Sequence, residues 1–286
     1  MRSQTFRSQP ERRRESRPWG GPERRQRERR DGRRRGAPVL GAFIDALPWD
    51  GAVARLIEWG ARRESRYVCI CNVHSVVTAT QDPEFGRVVN EADLATADGA
   101  PVAWALRRFG HATQERINGP DLMWRYLREA ERLGQGVAFY GGTPETLARL
   151  RESLLRVFPR LRIGALISPP FRALTEAEDR ADTEQLNASG AAVVFVGIGC
   201  PKQEKWMAAH RGRVRAVMVG VGAAFDYHAG TVRRAPPWMQ RHGLEWFYRL
   251  LSEPRRLWKR YLVTNSLFVA RMLPSLLRGR RTPPRA

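Results

Sequence analysis

Asp98 is the residue of this sequence that is best placed for acid–base chemistry. It comes directly after a short apolar segment, residues 94–97, and directly before Gly99. A carboxylate at the end of a buried strand can serve as a general base when its pKa and its geometry suit the reaction. An Asp before a helix also serves as an N-cap, and position alone favours this second interpretation. Asp98 is therefore a candidate catalytic residue with a structural alternative.

Three cationic side chains could hold an anionic group such as a diphosphate: Arg116, Lys202 and Arg234. The two arginines offer the better fork for paired oxygens. Lys202 belongs to the run Gly-Ile-Gly-Cys-Pro-Lys-Gln-Glu at 197–204, whose glycines let a ligand approach the backbone at a helix N-terminus. The run is not a P-loop, because it lacks the Gly-Lys-Ser/Thr ending. His74 could act as a base or line a polar rim, and taken alone it is read as structural.

Cofactor and metal chemistry find little support in the sequence. Residues 220–226, Gly-Val-Gly-Ala-Ala-Phe-Asp, come close to the dinucleotide fingerprint but have Phe225 where its third glycine belongs. The sequence contains no Asp-x-Asp pair, so metal-assisted binding of a diphosphate has no obvious ligands. Its three cysteines form neither a CxxC site nor a fully paired disulfide framework. We therefore expect no cofactor, no metal and a reducing compartment.

These residues lie on a chain in which β and α segments alternate. The apolar patterns predict strands at 39–46, 67–72, 94–97, 136–140, 161–167, 191–196 and 216–221. They predict helices through Val77 and at 49–63, 83–92, 101–109, 120–133, 143–158, 175–187 and 203–210. Such alternation indicates the α/β class, with a mostly parallel sheet and helices on both faces. Ligands of these sheets bind at the carboxyl ends of the strands.

The positive charge of the 286-residue chain is concentrated at its two ends. Of the net +21, residues 1–36 contribute +9 and residues 253–286 contribute +8, which leaves +4 for the body. The chain is 42% hydrophobic, which is enough for a packed core. Residues 1–36 have almost nothing apolar to bury, so we predict a disordered Arg-rich tail. This tail is either a polybasic arm for anionic lipid or nucleic acid, or a solvated extension without function.

Residues 244–286 form a basic C-terminal appendage. In it arginines alternate with Trp, Tyr, Phe and Leu at roughly helical spacing, which is the composition of an interfacial membrane helix. The alternative is a helix that packs its apolar stripe on the main domain. The sequence has no run of about 18 consecutive apolar residues, which excludes an ordinary transmembrane protein. The expected organisation is a tail at 1–36, an α/β domain at 37–243 and an amphipathic, membrane-associating helical appendage at 244–286.

Taken together, the motifs resemble the WecG/TagA/CpsF glycosyltransferases. The blocks that carry the resemblance are NVHSVV at 72–77, EADL and DGAPV between 91 and 102, ERINGPDL at 115–122, YGG at 140–142, VGIGCPKQE at 196–204, GVGAAFD at 220–226, RAP at 234–236, GLEW at 243–246, and EPRRL with RY between 253 and 261. They follow the family's order and cover the chain from about residue 39 to 277. Cys200 stands where relatives often carry a plain small or apolar residue.

The resemblance implies a Rossmann-like domain with an appendage, and it carries roles onto particular residues. Asp98 falls on the family's proposed catalytic aspartate, which reverses the preference for the N-cap. Asn72 falls on a sugar-pocket position, and Gln203 with the 197–201 loop matches the family's nucleotide pocket. The other substrate-binding candidates in the matched blocks are His74, Gly99, Arg116, Gly119, Gly141, Gly197, Gly199, Pro201, Lys202, Asp226 and Arg234. Arg255, Arg256 and Arg260 are expected to contact the membrane or the diphosphate.

The implied activity is that of an inverting, metal-independent glycosyltransferase. Its donor would be a UDP-sugar, and its acceptor a polyprenyl-diphosphate-linked saccharide of a cell-surface polysaccharide pathway. It would work in the cytoplasm, on the anionic inner face of the cell membrane, with no nucleic acid as partner. The donor sugar stays open among N-acetylmannosamine, its uronic acid, glucuronic acid and glucose, and so does assembly into a homo-oligomer.

Two other functions compete with this one. A basic α/β protein without catalysis could bind RNA, but its N-terminal arm lacks interleaved stacking aromatics. A sugar-nucleotide dehydrogenase or epimerase would need the missing third glycine and a Tyr-x-x-x-Lys pair, which the sequence does not contain.

Overall fold

The computed structural model describes residues 34–277, other than the side chains of Arg256, Arg260 and residues 275–277. Residues 1–33 of the predicted tail and 278–286 of the predicted appendage lie outside the described residues. Gly36, which was predicted to end the tail, is already part of the first strand.

The described chain begins with a β-hairpin where the sequence predicts a single strand. Strand β1 (Gly36–Val39) pairs antiparallel with β2 (Ala42–Asp45) through Leu40 and Gly41, whose φ angles are 52° and 90°. Two turn residues with positive φ are what a two-residue hairpin turn requires, and glycine adopts this conformation at no steric cost. The prediction of one strand over 39–46 is therefore wrong, because Gly41 marks a turn inside the apolar run.

A six-stranded parallel sheet forms the centre of the body. Its strands are β3 (Arg66–Cys71), β4 (Leu94–Ala97), β5 (Val137–Gly141), β6 (Ile163–Ile167), β7 (Val193–Gly197) and β8 (Val217–Gly220). Their order is β4-β3-β8-β7-β5-β6, and every neighbouring pair is parallel. Most strand residues are buried and apolar, as parallel strands covered on both faces must be. The predicted α/β class is confirmed.

Helices cover both faces of this sheet. One face carries α1 (Trp49–Ala61), α5 (Gly119–Leu133) and α6 (Pro144–Val157), and the other core includes α2 (Val73–Gln81), α3 (Pro83–Asn90), α4 (Ala100–Arg108), α7 (Glu176–Ala188) and α8 (Lys202–Ala209). Successive residues of β3 alternate between the two cores: Tyr67 and Cys69 belong to one, Val68 and Ile70 to the other. The sheet thus lies between two packed layers.

Several of these helices start where the sequence carries a cap. Thr143 accepts a hydrogen bond from the backbone N–H of Thr146, and Pro144 occupies the first helical position of α6. Asn118 caps α5 in the same way, and Thr175 with Glu178 forms a capping box at α7.

Four helices follow β8 in the described part of the chain: α9 (Ala224–Ala229), α10 (Pro237–Arg241), α11 (Glu245–Ser252) and α12 (Pro254–Leu277). Helix α12 lies against α2 and buries Phe268 and Met272 in the core on that face. Its other side exposes large apolar residues, among them Leu262 and Val269. Within residues 34–277, no helix is both long enough and apolar enough to span a bilayer.

Candidate active site

Several predicted site residues lie along the carboxyl edge of the sheet. Asn72 follows β3, Asp98 follows β4, and Gly141 and Gly197 end β5 and β7. The backbone pairing runs on past the strand ends, since the N–H of Asp98 donates to Cys71 O at 2.9 Å. Because all of these strands are parallel, one edge collects the residues that the sequence offered for chemistry.

Asp98 does not cap the helix that follows it. The N-cap of α4 is Gly99, at φ 85°, and no side chain makes a capping hydrogen bond there. The carboxyl group instead faces Arg116, whose Nε lies 3.3 Å from Asp98 Oδ1, and 23% of the Asp98 side chain is exposed. Burial raises the pKa of Asp98, the charge of Arg116 opposes this, and the charge of Glu245 adds to it, so that the pKa stays above its ordinary value.

Arg116 joins Asp98 to the C-terminal helices. It comes from the segment before α5, which lies along β4 through a hydrogen bond from the Ile117 N–H to Ala97 O at 2.8 Å. Its Nη2 donates to Glu245 Oε2 at the start of α11. Its Nε is buried and has no hydrogen-bond partner, since the approach to Asp98 is an ion pair without hydrogen-bond geometry.

Arg234 is the second cation of this cluster. It donates to both carboxylate oxygens of Asp121, at 2.5 and 3.0 Å, and its Nε lies 3.3 Å from Glu245 Oε1. Asn118 donates to Asp121 at 2.7 Å from the other side. Burial opposes the charge of Asp121, but the hydrogen bonds from Arg234 and Asn118 hold its pKa below the ordinary value.

Glycines let the strand ends β5 and β7 approach each other. A Cβ on Gly141, at φ 119°, would lie 2.6 Å from the carbonyl carbon and oxygen of Gly197. A Cβ on Gly197 would lie 2.8 Å from the ring of Phe225. Gly199, at φ 86°, has open space around its Cβ position, so the backbone there is accessible to a ligand.

The loop after β7 is anchored to the turn after β8 by Gln203. Its side chain is buried, its Oε1 accepts from the Gly222 N–H at 3.2 Å, and its Nε2 donates to Glu204 at 2.9 Å. Pro201 is the N-cap of α8, and Lys202, the first residue of the helix, is exposed. Gln203 therefore stabilises the loop through buried hydrogen bonds, whereas the exposed Lys202 can face a ligand.

The remaining candidates have separate places. Asn72 caps α2, with Oδ1 accepting from the Ser75 N–H at 3.1 Å, and His74 Nδ1 lies 3.5 Å from Thr78 Oγ1 in the same helix. Gly119 brings the start of α5 against the carbonyl of Val221. Asp226 accepts from the Thr231 hydroxyl at the turn after α9. Arg255 is exposed on α12, and the predicted contacts of Arg256 and Arg260 lie outside the described side chains.

The acidic members of the cluster, Glu245 and Asp121, are not among the site residues predicted from the sequence. A signal for Glu245 was present, since Glu245 and Glu253 are the only acids after residue 226, among thirteen Lys and Arg. Asp121 sits in the first turn behind the Asn118 cap, where a carboxylate is common for local reasons alone.

No group of three or more His, Cys, Asp or Glu among residues 34–277 is arranged to hold a metal ion. The positive charges of the cluster around Asp98 come from Arg116 and Arg234, which are paired with carboxylates. The arginines offer N–H donors to anionic oxygens, and Asp98 is a carboxylate that can act on a reacting hydroxyl.

Two comparisons with known proteins find similar sequences. Residues 37–282 match the model of the glycosyl transferase WecG/TagA/CpsF family. The chain is also 33% identical, over 202 residues, to the N-acetylglucosaminyldiphosphoundecaprenol N-acetyl-beta-D-mannosaminyltransferase of Bacillus spizizenii. That similarity covers 70% of this chain and 76% of the relative.

Proposed function

The chain belongs to the WecG/TagA/CpsF family of glycosyltransferases, and from this premise we propose that it transfers a sugar from a UDP-sugar to a polyprenyl-diphosphate-linked saccharide, with inversion and without a metal. The observation that carries the proposal is the half-buried Asp98 beside Arg116 at the carboxyl edge of the sheet.

In this mechanism Asp98 is the general base. The acceptor hydroxyl oxygen attacks the anomeric carbon, and a new C–O bond forms as the bond to the UDP oxygen breaks. Asp98 takes the hydroxyl proton, and UDP leaves with the bonding electron pair. One displacement from the face opposite the leaving group inverts the anomeric centre. A raised pKa makes the carboxylate a stronger proton acceptor, which suits this role.

The negative charge that develops on UDP needs positive partners. The backbone at Gly199 has open space around it, and the start of α8 adds its N-terminal amides. Arg116 lies 3.3 Å from Asp98, and the charge of Arg234 also acts on that carboxyl group. Arg255, Arg256 and Arg260 of α12 are the further candidates from the appendage. Arginines and amides would thus take the place of a metal.

The sugar that we propose is N-acetylmannosamine, and the acceptor residue N-acetylglucosamine. Both follow the activity for which the Bacillus spizizenii relative is named. The uronic acid of N-acetylmannosamine, glucuronic acid and glucose are the donors against which this proposal is tested.

The appendage is proposed to seat the enzyme on the cytoplasmic face of the membrane, where the lipid-linked acceptor lies. Helices α11 and α12 expose Trp246, Phe247, Trp258 and Leu262, with Arg255 and Lys259 nearby. Exposed aromatic and aliphatic side chains beside cations are typical of helices that lie in the membrane interface.

The test is UDP release by the purified full chain with a panel of UDP-sugars, a lipid-diphosphate-linked N-acetylglucosamine acceptor, and EDTA. Acceptor-dependent release with UDP-N-acetylmannosamine in EDTA is the expected result. Release that requires a divalent cation would overturn metal independence, and release with another donor alone would overturn the sugar. Failure with every donor, together with tight RNA binding, would favour the basic RNA-binding protein.

A further inference from the structure

Glu245 connects the C-terminal helices to the candidate active site. It is the first residue of α11, only 13% of its side chain is exposed, and it lies between Arg116 and Arg234. An acid at this place stands out, because the 60 residues after Asp226 hold only one other. A buried carboxylate persists only where cations compensate its loss of water.

The two arginines that contact Glu245 depend on it to different degrees for their position. Arg234 is fixed by its two hydrogen bonds to Asp121 whether or not Glu245 is present. Arg116 has no comparable second anchor: its Nε lacks a hydrogen-bond partner, and the hydrogen bond that orients its guanidinium goes to Glu245. The place of Arg116 relative to Asp98 therefore depends on a residue of the appendage.

The charges of the cluster also affect the ionisation of Asp98. Asp98, Asp121 and Glu245 oppose Arg116 and Arg234, so the cluster carries one more negative charge than positive when all are ionised. The groups whose charges or hydrogen bonds shift the pKa of Asp98 are Arg116, Glu245, the Gly99 N–H and Arg234. Glu245 draws Arg116 toward itself and adds its own negative charge, and both effects disfavour ionisation of Asp98.

We propose that Glu245 is a positioning residue that acts on Asp98 through Arg116, so that the seating of α11 on the body sets how Asp98 works. This inference rests on the proposed function, since it gives Asp98 the role of the base. It makes catalysis depend on the appendage through one side chain in the site.

The test follows the Asp98 carboxyl directly, by 13C NMR titration of the full chain labelled at aspartate, with the signal assigned by its loss in Asp98→Asn. In Glu245→Gln the titration of Asp98 is expected to move to lower pH by on the order of one pH unit. Asp121→Asn is the matched variant, since it also removes an acid from the cluster but contacts Arg234 and not Arg116. We expect a smaller movement there.

An unchanged Asp98 titration in Glu245→Gln, or an equal movement in Asp121→Asn, would overturn the proposal. If Glu245→Gln lacks a native circular dichroism spectrum, Glu245→Asp takes its place. Its shorter side chain moves the carboxylate away from Arg116, so the titration of Asp98 must again move to lower pH. The pH profile of UDP release separates the positioning role of Glu245 from the role of Asp98 as the base. A moved titration with an unmoved profile leaves Glu245 a positioning residue and removes Asp98 as the base, and the titration decides the proposal even if no donor reacts.

Discussion

The Nε of Arg116 lies 3.3 Å from Oδ1 of Asp98, yet the pKa of Asp98 is raised and not lowered. An arginine so close to a carboxylate ordinarily lowers its pKa. Here burial outweighs the attraction, and Glu245 shares the same guanidinium. Asp98 thus lies next to a cation and still keeps a raised pKa. A carboxylate of this kind can ionise and can also accept a proton, as a general base must.

Replacing Asp98 with Asn tests its role as the base. We expect the turnover number to fall by about 10²–10⁴-fold, the usual contribution of a general base. Asn keeps the size of the side chain, so the far-UV spectrum should not change. Asp50→Asn, on the exposed first turn of α1, serves as the control and should keep full activity. Full turnover in Asp98→Asn would remove Asp98 from the mechanism.

The same variant should be more stable than the wild type at neutral pH. A raised pKa means that the folded protein binds the proton of Asp98 more tightly than the unfolded chain does. Ionisation of Asp98 therefore costs stability as the pH rises from the ordinary Asp value through the raised one. Asp98→Asn escapes this cost, so its Tm should exceed that of the wild type at pH 7, and the two should converge at acid pH.

Differential scanning calorimetry at several pH values measures both parts of this prediction. A Tm of Asp98→Asn that lies below the wild type by a constant amount at every pH would show that Asp98 is a structural residue, contrary to the assignment.

Arg234→Lys should destabilise the link between the α10–α11 region and α5. Lys cannot reproduce the fork that holds both oxygens of Asp121 and approaches Glu245 as well. We expect a loss of about 1–2 kcal/mol in the free energy of unfolding by urea. The pKa of Asp121 is lowered, so this contribution should be present above the ordinary Asp value and lost as the pH falls through the lowered one.

Arg132→Lys is the matched control for this loss. Arg132 pairs with Glu129 on the exposed side of α5, with 66% of its side chain in solvent. Exposed pairs contribute little, so its unfolding curve should coincide with that of the wild type. An equal loss in both variants would mean that the fork to Asp121 has no special weight.

The fold and the edge that carries the site could be read from the sequence, whereas the pairing inside the site could not. Strands such as β7 and β8 are continuous apolar runs, which is the local signature of parallel strands buried on both faces. The residues after them then follow from topology alone. The contact of Arg116 with Glu245 joins residues 129 positions apart, and no local pattern specifies it.

The hairpin at the start shows a different kind of failure. Residues 36–45 are almost all apolar. The turn depends on a positive φ at Leu40, which leucine rarely adopts and which the sequence therefore does not predict. Gly41 was the available signal. For Asp98 a local signal was present but misleading. Its position before a helix favoured an N-cap, whereas the structure has Gly99 at the N-cap.

Gly141→Ala should be among the most damaging small substitutions at the site. The new methyl would lie 2.6 Å from the Gly197 carbonyl, in a conformation with φ 119°. We expect a loss of about 3 kcal/mol or more in the free energy of unfolding, from strain and displacement of the strand ends together. Gly134→Ala, at φ 68° with nothing within 4 Å of its Cβ position, isolates the cost of the backbone and should lose only about 1 kcal/mol. Equal losses in urea unfolding would show that the approach of β5 to β7 is not tight.

The two sides of α12 should separate membrane binding from folding. Leu262 and Val269 are more than half exposed, whereas Phe268 of the same helix is buried against the body. In Leu262→Asp/Val269→Asp, co-sedimentation with anionic liposomes should fall strongly while the Tm stays near that of the wild type, because charges on an exposed face weaken insertion but break no internal contact. Phe268→Ala should do the reverse, lowering stability by about 3 kcal/mol through the cavity it leaves. If the double variant still sediments with liposomes like the wild type, the exposed face of α12 is not the surface that meets the membrane.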